Sequence, residues 1–180
     1  MEAFFALDVE TSCRRRASIC SLAIVEFQDR QVIKEWSTYV DPEDIFEPMN
    51  CHIHHIDASM VRGAPKFPKI YDILKLVGQN GSILTHTAFD LQAICAACNK
   101  YNLPELNFLW LDSAEIARKQ WPQFQDSGYK LSTLAKSLGI TYQSHIAVED
   151  ARTAGQVFIH AMSESGLSLE DWKKKIYFYR

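Results

Sequence analysis

No stretch of about 20 apolar residues occurs in this 180-residue chain, which excludes a membrane-spanning helix. The opening Met1-Glu2-Ala3-Phe4 has no basic region ahead of its apolar run, so no secretory signal is expected. Five cysteines, an odd count with no paired framework, point to a reducing cytoplasmic setting rather than a disulfide scaffold. Strong charge of either sign is also missing. A net charge of −3 argues against a broad, non-specific clamp on duplex nucleic acid. Internal repeats and low-complexity segments are absent as well. With 47% hydrophobic residues, the chain has enough apolar side chains for one full core.

What is present is a mixed α/β pattern. The apolar run Ala3-Phe4-Phe5-Ala6-Leu7 reads as a buried strand. Residues 17–27 and 31–40 read as two long strands joined by the polar turn Gln28-Asp29-Arg30, an antiparallel meander. Asp41-Pro42 ends it, and a loop rich in Pro, Asn and His leads to helices expected over 58–62 and 68–77. A short strand over 81–86 and a helix from about 87 to 101 follow. A fifth strand is expected over 108–111, with helices over 113–120 and 129–138.

Five residues carry the chemistry. Asp8 and Glu10 stand two apart at the end of the first strand, on one face, with Cα atoms roughly 6.5 Å apart. Two carboxylates so placed repel each other unless a cation lies between them. Asp90 falls in the first turn of its helix, where the helix dipole favours negative charge. Asp150 lies on the apolar stripe continued by Ala154, Val157 and Ala161, so it faces inward, where an unpaired acid is costly. His145 precedes it by five residues. Taken singly, each has a plain structural explanation: a solvated strand end, a helix-terminal acid, an Asp150–Arg152 ion pair, or a surface histidine.

Taken together they resemble the DEDDh 3′–5′ exonucleases, related to the proofreading epsilon subunit of bacterial DNA polymerase III. The resemblance rests on Asp8-x-Glu10-Thr11, on Phe89-Asp90 opening a helix, and on His145-x-Ala147-x-x-Asp150-Ala151. It is extended by Ile53-His54-His55-Ile56, Met60-Val61 and Ala64-Pro65-x-Phe67, and runs from about residue 4 to 162. A sister group carries a tyrosine four residues before the last Asp. That position is Ile146 here, which places the chain with the histidine group. One departure is visible: many relatives read His-Asn-x-x-Phe-Asp, whereas this chain reads His86-Thr87-Ala88-Phe89-Asp90, one residue shorter and without the Asn.

The resemblance implies a ribonuclease H-like fold, a five-stranded mixed sheet with helices on both faces. Residues 1–166 would form the exonuclease domain. Residues 167–180 would be a last helix or the start of a linker. It further implies that Asp8, Glu10, Asp90 and Asp150 hold two divalent cations, Mg²⁺ or Mn²⁺, with His145 as general base. The expected substrate is the 3′ end of DNA, single-stranded or frayed, with RNA or short oligoribonucleotides as the alternative and a catalytically silent nucleic-acid or polymerase-binding module as the third. A DNA polymerase or a further domain of a longer chain is the expected partner. Val9, Thr11 and His54 would line the nucleotide pocket. Phe89 would either stack on a base or pack in the core, and Arg14, in the run Arg14-Arg15-Arg16, would either meet phosphate or sit in a solvated loop.

Two further groups invite metal readings that their surroundings do not support. Cys95-Ala96-Ala97-Cys98 lies inside a helix without a second pair, so its cysteines read as small core residues. His52, His54 and His55 lack a clear acidic or cysteine partner nearby.

Overall fold

A computed structural model of the chain describes residues 3–176. Strand β1 (Ala3–Thr11) is flanked on one side by β2 (Ile19–Gln28) and then β3 (Gln31–Tyr39), all antiparallel. On its other side lie β4 (Ser82–Thr85) and β5 (Trp110–Asp112), both parallel, giving the order β3-β2-β1-β4-β5. This is the five-stranded mixed sheet that the sequence led us to expect. The β2–β3 hairpin turns on Asp29 and Arg30, both at positive φ (48° and 66°), the backbone sign that two-residue hairpin turns need to match strand twist.

The helices are α1 (Pro48–His54), α2 (Phe67–Asn80), α3 (Phe89–Lys100), α4 (Ser113–Gln120), α5 (Leu131–Leu138), α6 (Ala147–Ser165) and α7 (Leu169–Lys175). Alternation along β1 assigns its residues to two cores. Phe5, Leu7 and Val9 pack under α2 and α3, whereas Phe4 and Ala6 pack under α4 and α6. Asp8 and Glu10 continue the Phe4–Ala6 row, so they emerge on the α6 side of the sheet, at the end where β1 stops.

The long helix α6 is pressed against β1 and β2. Gly155 permits the approach: a Cβ there would stand 2.2 Å from the ring of Phe27, which is itself stacked on Phe4 at 4.8 Å between centroids. Trp172 of α7 is 2% exposed and packs edge-on against Phe158 of α6, so α7 lies on the same core. Residues 177–180, the end of the basic aromatic tail, lie outside the described residues.

Two local expectations are corrected. The segment read as a loop contains α1, started by Pro48 at the first helical position and ended by His55 at φ 60°, whose N–H donates to the Cys51 carbonyl. The helix expected over 58–62 is instead a set of tight turns. The Asp57 carboxylate accepts from the N–H groups of Ser59 (2.7 Å) and Met60 (3.2 Å), a local side-chain bond that competes with helix formation.

Candidate active site

Three chain segments more than fifty residues apart deliver their acids to one cleft of about 760 Å³, lined by Asp8, Glu10, Asp90, His145 and Asp150. Asp8 and Glu10 come from the end of β1. Asp90, 2% exposed, is the second residue of α3, and its Oδ1 accepts the Val9 N–H at 2.9 Å, which ties α3 to β1 between the two other acids. Asp150, 8% exposed, sits in the first turn of α6.

His145 stands just before α6, exposed, with φ 63° in the left-handed region. The potential ligand atoms of Glu10, His145 and Asp150 lie within 4.8 Å of one another.

The turn that delivers Asp90 shows how the shortened motif still places its acid in the cleft. Thr87 takes φ 76°, its N–H donates to Asp112 Oδ1 at 3.0 Å, and the Thr85 hydroxyl donates to the Thr87 carbonyl at 2.8 Å. Asp112 also caps α4 by accepting from the N–H of Ala114 at 2.8 Å. One carboxylate therefore fixes both the turn before α3 and the start of α4.

The electrostatics are those of crowded, desolvated acids. Burial pushes Asp8 well above the ordinary carboxylate range, and Asp90, Asp150 and Glu10 add to the effect. Glu10 is pushed up to about 8 by burial and then by Asp150 and Asp90. Burial raises Asp90 to about 7 against the opposing pull of the Val9 N–H. Asp150 is also raised by burial, opposed by the Tyr142 hydroxyl and the His145 N–H. No lysine or arginine is among the main influences on these four groups. Four carboxylates, with four potential negative charges and no lysine or arginine among their main influences, offer the oxygen donors that fit hard divalent cations.

A family model described as exonuclease, of the RNase T type, matches residues 5–158. The chain belongs to this exonuclease family. It is 26% identical over 160 residues to the DNA polymerase III subunit epsilon of Treponema pallidum, covering 87% of this chain and 74% of that one. It is 26% identical over 165 residues to a PolC-type DNA polymerase III of Caldanaerobacter subterraneus, covering 89% of this chain. The exonuclease spans only 12% of that polymerase's length.

Among solved structures, exonuclease X in complex with 5′-overhanging duplex DNA superposes with a TM-score of 0.76 at 23% identity, covering 97% of this chain and 98% of the other. The nuclease domain of 3′hExo, a DEDDh family member bound to rAMP, gives 0.76 at 18% identity, covering 99% and 96%. The fold is that of these exonuclease structures, and the exonuclease family implies divalent metal ions.

Asp8, Glu10, Asp90, His145 and Asp150 of the exonuclease are thus brought together, while the residues named for the nucleotide pocket divide into two groups. Val9, Thr11 and His54 are buried and work on the frame. The Thr11 carbonyl accepts from His54 Nε2 (3.1 Å) and Asn50 Nδ2 (2.8 Å), and His54 Nδ1 accepts the Ile56 N–H (3.0 Å). Both ring nitrogens of His54 are therefore engaged by backbone, in keeping with a pKa lowered by burial.

Phe89 and Arg14 are at the surface. Phe89 is 37% exposed, which removes its core alternative, and the Arg16 guanidinium lies 4.1 Å above its ring. Phe89 and Glu10 also wall a smaller cavity of about 250 Å³ shared with Thr11, Arg14, Asn50, Ile53 and His54, so Thr11 and His54 line it while holding the frame.

The arginine run separates on inspection: Arg14 pairs with Glu47, Arg15 with Asp44, and Arg16 stacks on Phe89. Arg152 pairs with Glu35 and Glu149, so it is not the partner that the ion-pair reading of Asp150 required.

Sequence reasoning missed Asn50, Asp112 and Tyr142. Asp112, immediately before a helix, carried the N-cap signal; Asn50 and Tyr142 carried none.

Proposed function

We propose that this chain is a metal-dependent 3′–5′ exonuclease that releases nucleoside 5′-monophosphates from the 3′ end of DNA. The observation that carries the reading is the meeting of four acids from three distant segments beside an exposed histidine, with no lysine or arginine among the main influences on them. Asp8, Glu10, Asp90 and Asp150 would hold two divalent cations, which when bound supply Lewis-acid stabilisation of the attacking and leaving oxygens of an in-line displacement. The assignment of roles follows from what each side chain can do.

His145 accepts the proton of the attacking water, the role in which an exposed imidazole at the edge of the acid cluster serves as a general base. Its exposed ring is free of the backbone bonds that occupy His54. Asp90 keeps the acids in register by accepting the Val9 N–H. The small cavity bounded by Phe89, Ile53 and Thr11 takes the terminal nucleotide, with the exposed Phe89 ring available for stacking, which contributes about 1–3 kcal/mol per base.

DNA is favoured by the polymerase III relatives and by the exonuclease X complex. The same chemistry on RNA is the second reading, because the 3′hExo nuclease domain, equally similar in fold, holds rAMP. A polymerase, or a further domain of a longer chain, is the proposed partner.

Chromatography of the products from unlabelled DNA and RNA in Mn²⁺ tests the reaction. Nucleoside 5′-monophosphates should accumulate, faster from DNA. Products bearing 3′-phosphates, or none at all from a folded protein, would sink the reading, and faster release from RNA would move the second reading to first place.

A further inference from the structure

The acids and His145 account for only part of the cleft. The same cleft is lined by Arg118, Tyr129 and Lys130, which none of the catalytic roles uses. Arg118 and Lys130 are exposed, and the Arg118 guanidinium lies 5.5 Å from the centre of the Tyr129 ring. Arg118's ion pair with Glu115 is exposed on both sides, so exchanging that carboxylate for another anion costs little.

This group is held from beneath. The Tyr129 hydroxyl donates to the Trp121 carbonyl at 3.0 Å, and the Tyr129 carbonyl lies 3.0 Å from Nε2 of the half-buried His86. A carbonyl only accepts, so Nε2 carries the proton and Nδ1 accepts the Ser113 hydroxyl at 2.8 Å. His86 thus links the β4 end to the residues just before α5.

A polyanion approaching four carboxylates on a chain of net charge −3 needs cations placed where its phosphates pass. One end of the cleft adjoins the small cavity of Phe89 and Glu10, assigned above to the terminal nucleotide. The remainder of the strand has to leave along the rest of the lining.

We propose that Arg118, Tyr129 and Lys130 anchor the phosphodiester backbone on the 5′ side of the scissile bond, with His86 as the positioning residue that fixes Tyr129. The inference rests on the exonuclease reading above. Arg118 and Lys130 meet phosphate oxygens, and the Tyr129 ring packs against a sugar or base.

The test is the salt dependence of binding. Affinity of a labelled single-stranded DNA 12-mer is measured by fluorescence anisotropy across a salt series, in Asp150→Asn protein with and without Arg118→Ala and Lys130→Ala. Each lost phosphate contact flattens the log–log slope by about 0.7 for a single strand, so the double substitution should flatten it by about 1.4. Lys34→Ala, a cation on the edge strand β3, should leave the slope unchanged. In the otherwise native enzyme, His86→Asn should raise KM while kcat holds, a split that a loss of fold would not give. Lys130→Glu, a single change at an exposed side chain, serves if the double variant does not fold, and should flatten the slope by at least as much as Lys130→Ala.

A wild-type slope in the double variant, or in Lys130→Glu, overturns the anchor. Failure of the wild-type protein to shorten either DNA or RNA overturns the exonuclease reading instead.

Discussion

Loading the acid cluster with Mn²⁺ at pH 6 should expel protons, and the amount follows from the site. A carboxylate has to be deprotonated to bind a metal. With Glu10 near 8 and Asp90 near 7, protonation at pH 6 weakens metal binding by about 10²-fold through Glu10 and about 10-fold through Asp90. At pH 9 both factors are close to one. Apparent Mn²⁺ affinity should therefore rise by roughly a thousandfold from pH 6 to pH 9, on the order of 4 kcal/mol.

Calorimetric titration in buffers of different ionisation enthalpy reads the protons directly. At least two should leave at pH 6 as the cluster fills, one each from Glu10 and Asp90 with Asp8 adding to the count, and fewer at pH 9. The metal-free protein should respond in the opposite sense. Its fold keeps protons that the unfolded chain loses, so stability is full below the ordinary carboxylate pKa of Glu10, 4.5, and falls as pH rises towards about 8. Mn²⁺ should restore it and raise the melting temperature by linkage. An affinity independent of pH, with no proton release, would refute the claim that these acids are held together at the expense of their charge.

Three substitutions extend the test. Asp150→Asn should keep the fold, raise metal-free stability at pH 8 by removing one repelling charge, and lower hydrolysis at least 10²-fold; cleavage at the wild-type rate would remove Asp150 from the site. His145→Ala should lower kcat by about 10²–10⁴ while Mn²⁺ affinity stays close to wild type by calorimetry, and a large loss of affinity would make His145 a ligand instead of a base. Gly155→Ala drives a Cβ into the Phe27 ring, costing about 1–3 kcal/mol and lowering the melting temperature by several degrees at roughly 2–4 °C per kcal/mol; an unchanged melting curve would show that α6 and β2 are not packed as described.

Much of this site was legible because its residues sit at places where local pattern and function agree. Asp8-x-Glu10 follows an apolar strand, Asp90 opens a helix, and Asp150 falls on the buried stripe of another. The fold class was legible for the same reason: β1, buried on both faces, reads as a continuous apolar run, and β2 and β3 flank a short polar turn.

Other features depend on contacts that no local pattern encodes. Helix α1 follows from Pro48 and the left-handed His55 within a segment whose composition reads as loop, while the Asp57 carboxylate turns 58–62 away from helix. Asn50 and Asp112 hold the frame through bonds to residues 39 and 25 positions away. The Arg14-Arg15-Arg16 run looks uniform in sequence, yet three different partners claim its side chains, and only Arg16 stacks on the exposed Phe89.

The central claim is that these acids and His145 make a metal-dependent enzyme working from the 3′ end. A gel time course with matched 5′-labelled single-stranded DNA and RNA, with and without Mn²⁺, tests it most directly. The account predicts a ladder that shortens stepwise from the 3′ end only with the metal, and faster on DNA. Immediate release of the 5′ label as a mononucleotide, or intact strands of both kinds in the presence of folded protein and Mn²⁺, would contradict it.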